Sequence, residues 1–204
     1  MSSEEVLTPD RILEAAEEVL RRFGPAKATV VDVARALGVS HGSVYRHFAS
    51  KAALREAVAE RWLARISAPL ELVARERGTA RDRLRRWFEL LLSLKRKKVL
   101  EDPELFRAYS QLVTESREVV RGHVETLTGQ LARVIEDGVA RGELEAADPA
   151  AAARALFAAT GRFHNPLHAG EWSAPGIDAA FDEVFALLLR GLRAGRSEKP
   201  KRRR

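Results

Sequence analysis

The chain has 204 residues, of which 46% are hydrophobic and 31% are charged, and this balance predicts one folded domain or two small ones and excludes a disordered chain. It contains no cysteine, which excludes disulfides, thiolate metal ligands and thiol nucleophiles. No apolar run approaches the roughly 20 residues that cross a bilayer, and the acidic start Met1–Glu5 lacks the apolar core of a secretory signal. We therefore expect a cytoplasmic protein without a membrane partner.

The net charge of +6 is unevenly distributed along the chain. Residues 190–204 carry eight Lys or Arg and one Glu, so the high isoelectric point comes from the C-terminal end, and we predict that 197–204 is a disordered basic tail. Residues 1–24 carry three basic and six acidic groups, whereas residues 25–55 carry five basic groups and one acidic group. This contrast favours one face that turns toward phosphate and another that turns away.

Helical signals begin near the N-terminus. Thr8 and Pro9 predict a helix start, and Gly24 predicts the stop of a helix that runs to Phe23. Two short helices follow, over Val30–Leu37 and Gly42–Phe48.

A long helix is then predicted from Lys51 to about Glu76, with Pro69 as a point where it kinks or breaks. Capping patterns at Thr79 and Asp102 open two more helices, and another spans about Arg117–Arg141. An alanine-rich helix opens at Asp148 and is expected to stop near His164, and the last helix covers about Ile177–Leu192. No segment alternates with period two, so we predict an all-α fold.

Residues 29–48 form the most informative segment, because they have the pattern of two short helices joined by a tight turn. Ala34 is small where the helices would cross, and Gly38 stands where the turn needs a positive φ. The predicted shared core is Val33, Leu37, Val39, Val44 and Phe48. The second helix then exposes basic, hydroxyl and aromatic groups, as a reader of the DNA major groove requires. An ordinary helical hairpin with a solvated polar face is the alternative.

Residues 8–62 resemble the tetracycline-repressor (TetR) family of regulators, through Leu37-Gly38-Val39-Ser40, Val44-Tyr45-Arg46-His47-Phe48 and then Ser50-Lys51-x-x-Leu54. The resemblance implies a helical homodimer with a three-helix DNA-binding head and a larger helical body that binds ligand and dimerises. We place the helix-turn-helix domain at 1–50 and the body at 51–196, with the helix from 51 as the connection.

The resemblance also implies roles for single residues in the head. Phosphate contacts are expected at Thr29, Tyr45, His47 and Lys51. Groove-facing or base-reading positions are expected at His41, Gly42, Ser43 and Arg46, with Ser40 as the cap of their helix. Gly42 departs from the bulkier residue common in the family.

Candidates for the ligand site and the dimer interface come from helical spacing in the body. We predict a mainly apolar pocket for a small-molecule effector, lined by Trp87, Phe88, Leu91, Phe106, Tyr109, Val113, His123, Leu127, Phe163, His164 and Asn165. We predict a four-helix dimer interface from Leu156, Phe157, Thr160, Phe181, Val184, Phe185 and Leu188. The same side chains suit an ordinary core, which is the alternative for any one of them.

His164 and His168 are four residues apart and suggest a metal site, but Pro166 between them disfavours a continuous helix. No catalytic constellation or Gly-rich phosphate loop is visible, and we expect no metal and no cofactor. The run Lys95–Lys98 suits a solvated helix end. The leading hypothesis is a repressor that a small molecule releases from a palindromic operator. The alternatives are a DNA-binding regulator that needs no effector or answers to a protein partner, and an enzyme that uses the His164/His168 region.

Overall fold

The computed structural model describes residues 6–192, and the predicted tail 197–204 lies outside that range. Within it the regular structure is ten α-helices and one short 3-10 helix at Pro166–Glu171, so the all-α prediction is confirmed. The helices are α1 (Pro9–Lys27), α2 (Val30–Leu37), α3 (His41–Tyr45), α4 (Lys51–Arg75), α5 (Ala80–Glu101), α6 (Pro103–Glu115), α7 (Arg117–Ala140), α8 (Pro149–Ala159), α9 (Gly161–His164) and α10 (Ile177–Gly191). None of the described helices is long and apolar enough to span a membrane.

The helix starts follow local capping chemistry. Thr8, Asp102 and Asp148 each accept a hydrogen bond from the backbone N–H three residues on, at 3.3, 3.0 and 2.9 Å. A proline follows each of the three caps, where its missing N–H is no loss. Each cap lies within a few residues of the proline and the backbone N–H that define the helix start, which is why the sequence alone predicted these starts.

Helices α1 and α8 end differently from the sequence-based prediction. Gly24 does break the helical backbone, with φ 72° and ψ 162°, but the helix resumes at Pro25 and α1 extends to Lys27. The helix predicted to continue to His164 is interrupted at Thr160, which separates α8 from α9. The Thr160 hydroxyl donates toward the carbonyl oxygens of Leu156 and Phe157, at 2.9 and 3.1 Å. Such side-chain bonds compete with the backbone ladder and favour a bend there.

The structure divides into two compact units. Unit 1 contains the residues up to Ser67 together with Lys97–Val124, and unit 2 contains Ala68–Arg96 and the residues from Glu125 onward. Helices α4, α5 and α7 contribute residues to both units. The functional division that we place at residue 50 stays a prediction.

Unit 1 has a core built from α1, α2, α4 and α6. Ile12, Val58 and Leu112 are fully buried in it. The Trp62 and Tyr109 rings are stacked, with centroids 4.6 Å apart. Helix α6, which we predicted to belong to the body, is therefore packed into the same core as the helix-turn-helix segment.

Unit 2 has an aromatic core centred on Trp87, Phe88, Phe181 and Phe185, all of which are buried. The Phe88 ring lies 5.8 Å from the Phe185 ring, and the Trp87 indole N–H donates to the buried Gln130 side chain at 2.9 Å. The Gln130 amide therefore has a partner inside the core, which matters because water does not reach it.

Candidate nucleic-acid interface

Helix α2 begins with a reciprocal capping box. The Asp32 N–H donates to the Thr29 hydroxyl at 3.2 Å, and the Thr29 N–H donates to the Asp32 carboxylate at 3.1 Å. The Thr29 hydroxyl also donates to that carboxylate at 2.5 Å and, as the largest cause, lowers the pKa of Asp32, with the Arg35 guanidinium adding to the shift. Both donors of Thr29 are therefore engaged by Asp32, and a DNA phosphate at the predicted Thr29 contact has to displace a carboxylate.

The turn between α2 and α3 depends on Gly38. Its φ of 67° and ψ of 27° lie in the left-handed region, as predicted. The Val39 N–H donates a hydrogen bond to the Ala34 carbonyl at 3.0 Å, as is common where a helix ends at such a glycine. Ala34 and Val44 are buried where the two helices meet, whereas Val39 is only partly buried. This packing fixes α3 against α2 and leaves one face of α3 at the surface.

The exposed face of α3 carries a connected polar row. Ser40 accepts the Ser43 N–H at 3.2 Å, the two hydroxyls lie 3.0 Å apart, and the Arg46 guanidinium donates to Ser43 at 3.1 Å. Helix α3 ends at Tyr45, earlier than predicted, because the backbone tightens into a hydrogen-bonded turn in which the His47 N–H reaches the Val44 carbonyl. Arg46 is thus held by a neighbouring hydroxyl, and no carboxylate in the part of the chain that the structure describes forms an ion pair with it.

Aromatic and cationic groups extend this surface on both sides. The rings of His41 and Tyr45 meet edge to face with centroids 6.4 Å apart, and both residues are exposed, as are Gly42 and His47. Lys51 is exposed at the start of α4, where the Ser50 hydroxyl accepts the Ala53 N–H at 3.0 Å. The nine predicted DNA-contacting residues therefore lie on three consecutive segments of unit 1, and Ser43 alone among them is half-buried.

Arg55 was not among the predicted DNA contacts. It lies one helical turn after Lys51, and its side chain pairs with Glu115 of α6. The available sequence signal was the i, i+4 spacing of two basic residues at the start of a helix. The pairing itself joins residues 60 positions apart and has no local signature.

The predicted ligand-site residues are divided between the two units. Trp87, Phe88, Leu91, Leu127, Phe163 and His164 are buried in unit 2, and Asn165 is exposed there and accepts the Leu167 N–H at 3.1 Å. Tyr109 is buried in unit 1, where Phe106, Val113 and His123 are partly buried. A ligand-binding role for these side chains stays a prediction.

His164 and His168 have separate surroundings. His164 is 3% exposed, and its Nε2 lies 3.1 Å from the Phe157 carbonyl, which can only accept, so Nε2 carries the proton. Burial, and secondarily the charge of Lys95, lower the pKa of His164 to about 3. His168 is half-exposed beside Glu171 at 3.0 Å. Across residues 6–192, no group of three or more His, Asp or Glu side chains is arranged to hold a metal ion.

The predicted dimer residues are also mostly internal. Leu156, Thr160, Phe181 and Phe185 are buried within the chain itself, and Phe157, Val184 and Leu188 are partly buried. The exposed residues of the same two helices are different ones, among them Ala155, Ala158 and Ala159 of α8 and Leu187 of α10. The seven residues as a set stay a prediction.

A short recognition helix fixed against a second helix by a glycine turn, with exposed Arg, His and Tyr side chains, defines a helix-turn-helix DNA-binding protein. Two family profiles match the chain, "Bacterial regulatory proteins, tetR family" over residues 12–58 and "Tetracyclin repressor-like, C-terminal domain" over residues 80–185. The chain belongs to the TetR family of transcriptional regulators.

Individual relatives agree with this assignment. The chain is 25% identical to SmeT, the repressor of the Stenotrophomonas maltophilia multidrug efflux pump SmeDEF, with a TM-score of 0.65 over 92% of this chain and 91% of SmeT. The structure of the transcriptional regulator FadR from Bacillus subtilis in complex with stearoyl-CoA has a TM-score of 0.63, at 20% identity over 90% of this chain and 99% of that one, and so shows the same fold. The fatty acid metabolism regulator protein of Bacillus subtilis is 23% identical over 66% of this chain and 70% of its own.

Proposed function

We propose that the protein is a homodimeric repressor that binds a palindromic operator and is released by a small-molecule effector. The observation that carries the DNA half is the surface formed by His41, Ser43 and Tyr45 of α3 and by Arg46 directly after it, flanked by Lys51. Arg46 reads a base edge in the major groove, and Lys51 holds a backbone phosphate. Two such heads related by a twofold axis match two half-sites of a palindrome.

A selection from randomised operators with wild type, Arg46→Ala and Lys51→Ala tests these roles. Arg46→Ala is expected to relax the base preference at one position in each half-site, because a bidentate Arg–guanine contact discriminates by about 1–3 kcal/mol. Lys51→Ala is expected to weaken binding to all sequences alike and to reduce the slope of log K against log salt by about 1 per head. An altered base preference for Lys51→Ala with an unchanged salt slope would reverse the two assignments.

The dimer is proposed to form through the outer faces of α8 and α10. Leu187 is 61% exposed, and Ala155, Ala158 and Ala159 form a small-residue surface that permits close helix approach. Leu187→Glu is expected to yield a monomer in sedimentation at micromolar concentration, because a buried unpaired carboxylate opposes association. Leu72→Glu changes another exposed leucine of unit 2 and should leave the dimer intact. A wild-type monomer at that concentration would contradict the proposal.

The effector is proposed to be an apolar molecule with an anionic group. Lys95 is half-buried on α5, burial lowers its pKa to about 8, and no carboxylate among residues 6–192 forms an ion pair with it. The apolar rings of unit 2 suit the rest of such a molecule. FadR, which shares the fold, holds stearoyl-CoA, which also combines an apolar chain with anionic groups.

Thermal unfolding with dodecanoate and with dodecanol tests the effector class. Dodecanoate is expected to raise the melting temperature more than dodecanol, and Lys95→Met should remove that difference. Equal shifts for the two compounds would exclude the role of Lys95. The absence of a shift with these and with other apolar compounds would favour a regulator that needs no effector.

A further inference from the structure

Two basic residues of α4 share the mouth of a small crevice in unit 1. Lys51 and Arg55 are one helical turn apart, and both line this crevice together with Thr29. Its floor is apolar and is formed by residues such as Val30, Val33 and Val58. The mouth thus brings together two predicted phosphate contacts, Thr29 and Lys51, and a second cation, Arg55, that the sequence pattern did not single out.

The Arg55 guanidinium already forms an ion pair with a carboxylate. Its guanidinium is hydrogen-bonded to the Glu115 side chain at the end of α6. Glu115 is oriented from its own helix as well, because the Gln111 amide donates to its second carboxylate oxygen at 3.3 Å. The side chains of Arg55 and Glu115 are 26% and 48% exposed, so solvent and a DNA phosphate can reach this pair.

We propose that Arg55 is a further phosphate contact and that Glu115 competes with DNA for it. This inference rests on the DNA-binding role of the head. A carboxylate and a phosphate oxygen are alternative acceptors for the same guanidinium, and both make charge-assisted hydrogen bonds to it. Exposed ion pairs are weak, so a phosphate held at the same time by Lys51 can displace Glu115. Glu115 then acts as an intramolecular competitor that limits the affinity of the head for every DNA sequence.

The test measures binding of the full chain to a fluorescein-labelled DNA duplex of arbitrary sequence across a series of salt concentrations. Glu115→Gln is expected to tighten binding about two- to fivefold, because it frees Arg55. Arg55→Gln is expected to weaken binding and to lower the salt slope by about 0.9 per bound head, whereas Arg55→Lys should keep the slope. When Glu115→Gln is combined with Arg55→Gln, it should no longer change the affinity.

Glu118→Gln is the matched control, because it removes the same charge three residues further on from a carboxylate that pairs with Arg121. It should change the affinity less than Glu115→Gln and by the same factor with and without Arg55. The proposal is overturned if Glu115→Gln changes the DNA affinity by the same factor in wild type and in Arg55→Gln. It is also overturned if Glu115→Gln changes the affinity no more than Glu118→Gln does, because the effect is then one of net charge. An unchanged salt slope for Arg55→Gln overturns it too.

Lys51→Gln separates this inference from the function on which it rests. If wild type binds the duplex and Lys51→Gln weakens binding, the head works as proposed, and the Arg55 variants decide the inference alone. If wild type does not bind the duplex, the DNA-binding role and the inference fail together. Thermal unfolding of each variant should show a folded protein, since the pair is partly exposed and contributes little to stability.

Discussion

The two compact units differ in the polar side chains that they bury. Among residues 6–192, the buried polar or charged residues other than tyrosine all lie in unit 2: Arg83, Gln130, Thr160 and His164. The residues proposed to bind DNA lie at the surface of unit 1. Buried polar groups depend on internal partners, so changes to them alter stability. Exposed charges are free to meet phosphate, so changes to them alter DNA affinity and its salt dependence.

The largest effect on stability is expected at Arg83, which is 3% exposed. Its guanidinium donates to the Asp137 carboxylate at 2.9 Å and to the carbonyl of Ala74 near the end of α4. Arg83→Ala removes both bonds and leaves a cavity, and we expect a loss of about 3 kcal/mol in the free energy of unfolding. Arg133→Ala, at an exposed pair with Glu71, should cost less than about 1 kcal/mol in the same urea titration. Similar losses for the two variants would contradict the contrast between buried and exposed charges.

Two glycines of α7 are expected to respond in opposite directions. A Cβ at Gly138 would lie 2.6 Å from the Ala80 Cβ and 2.8 Å from Leu144, so Gly138→Ala should destabilise by about 2 kcal/mol. A Cβ at Gly122 meets nothing within 4 Å, so Gly122→Ala should stabilise by about 0.5–1 kcal/mol through helix propensity. Chemical denaturation of the two variants measures both signs, and a stabilised Gly138→Ala would contradict the close packing of Gly138 against Ala80.

His164 should make the stability of the protein fall with acid. Burial, with a contribution from Lys95, lowers its folded pKa to about 3 from an ordinary value of 6.5, so the unfolded chain binds the proton first as the pH falls. The stabilisation is complete above pH 6.5 and is lost on going down toward pH 3, at up to about 1.4 kcal/mol per pH unit. Unfolding at pH 7 and pH 5 should show this loss in wild type and its absence in His164→Gln.

His168→Gln is the control for that comparison, because His168 lies only four residues away but is half-exposed. This change leaves the buried imidazole of His164 in place, so the loss of stability that His164 causes between pH 7 and pH 5 should remain. If His164→Gln and wild type lose the same stability between pH 7 and pH 5, the imidazole of His164 is not held neutral by burial.

The smallest effect on stability is expected at Lys51, which is exposed at the start of α4. Lys51→Ala should change the free energy of unfolding by no more than about 0.5 kcal/mol, while DNA binding weakens at every salt concentration. Paired measurements of urea unfolding and DNA affinity check this. A loss of stability as large as that of Arg83→Ala would remove the distinction between the units.

Much of the fold was predictable because the helix boundaries depend on neighbouring residues. The caps at Thr8, Thr29 and Ser40 and the left-handed turn at Gly38 are local patterns, and the structure contains all of them. The break at Thr160 was missed, since the apolar spacing continues through it and only the hydroxyl bonds to preceding carbonyls interrupt the helix. The polar face of α3 followed from the same spacing that buries Val44.

The sequence by itself determined the helical elements, the helix-turn-helix segment and, through family resemblance, the class of regulator. Tertiary structure alone decided that α6 joins the core of the DNA-binding unit, that Glu115 meets Arg55, and that Gly138 must remain small beside Ala80. Each of these contacts joins residues more than 40 positions apart in the chain. Helical periodicity reports only which face of a helix is apolar, and the choice of the partner for that face depends on how the whole chain packs.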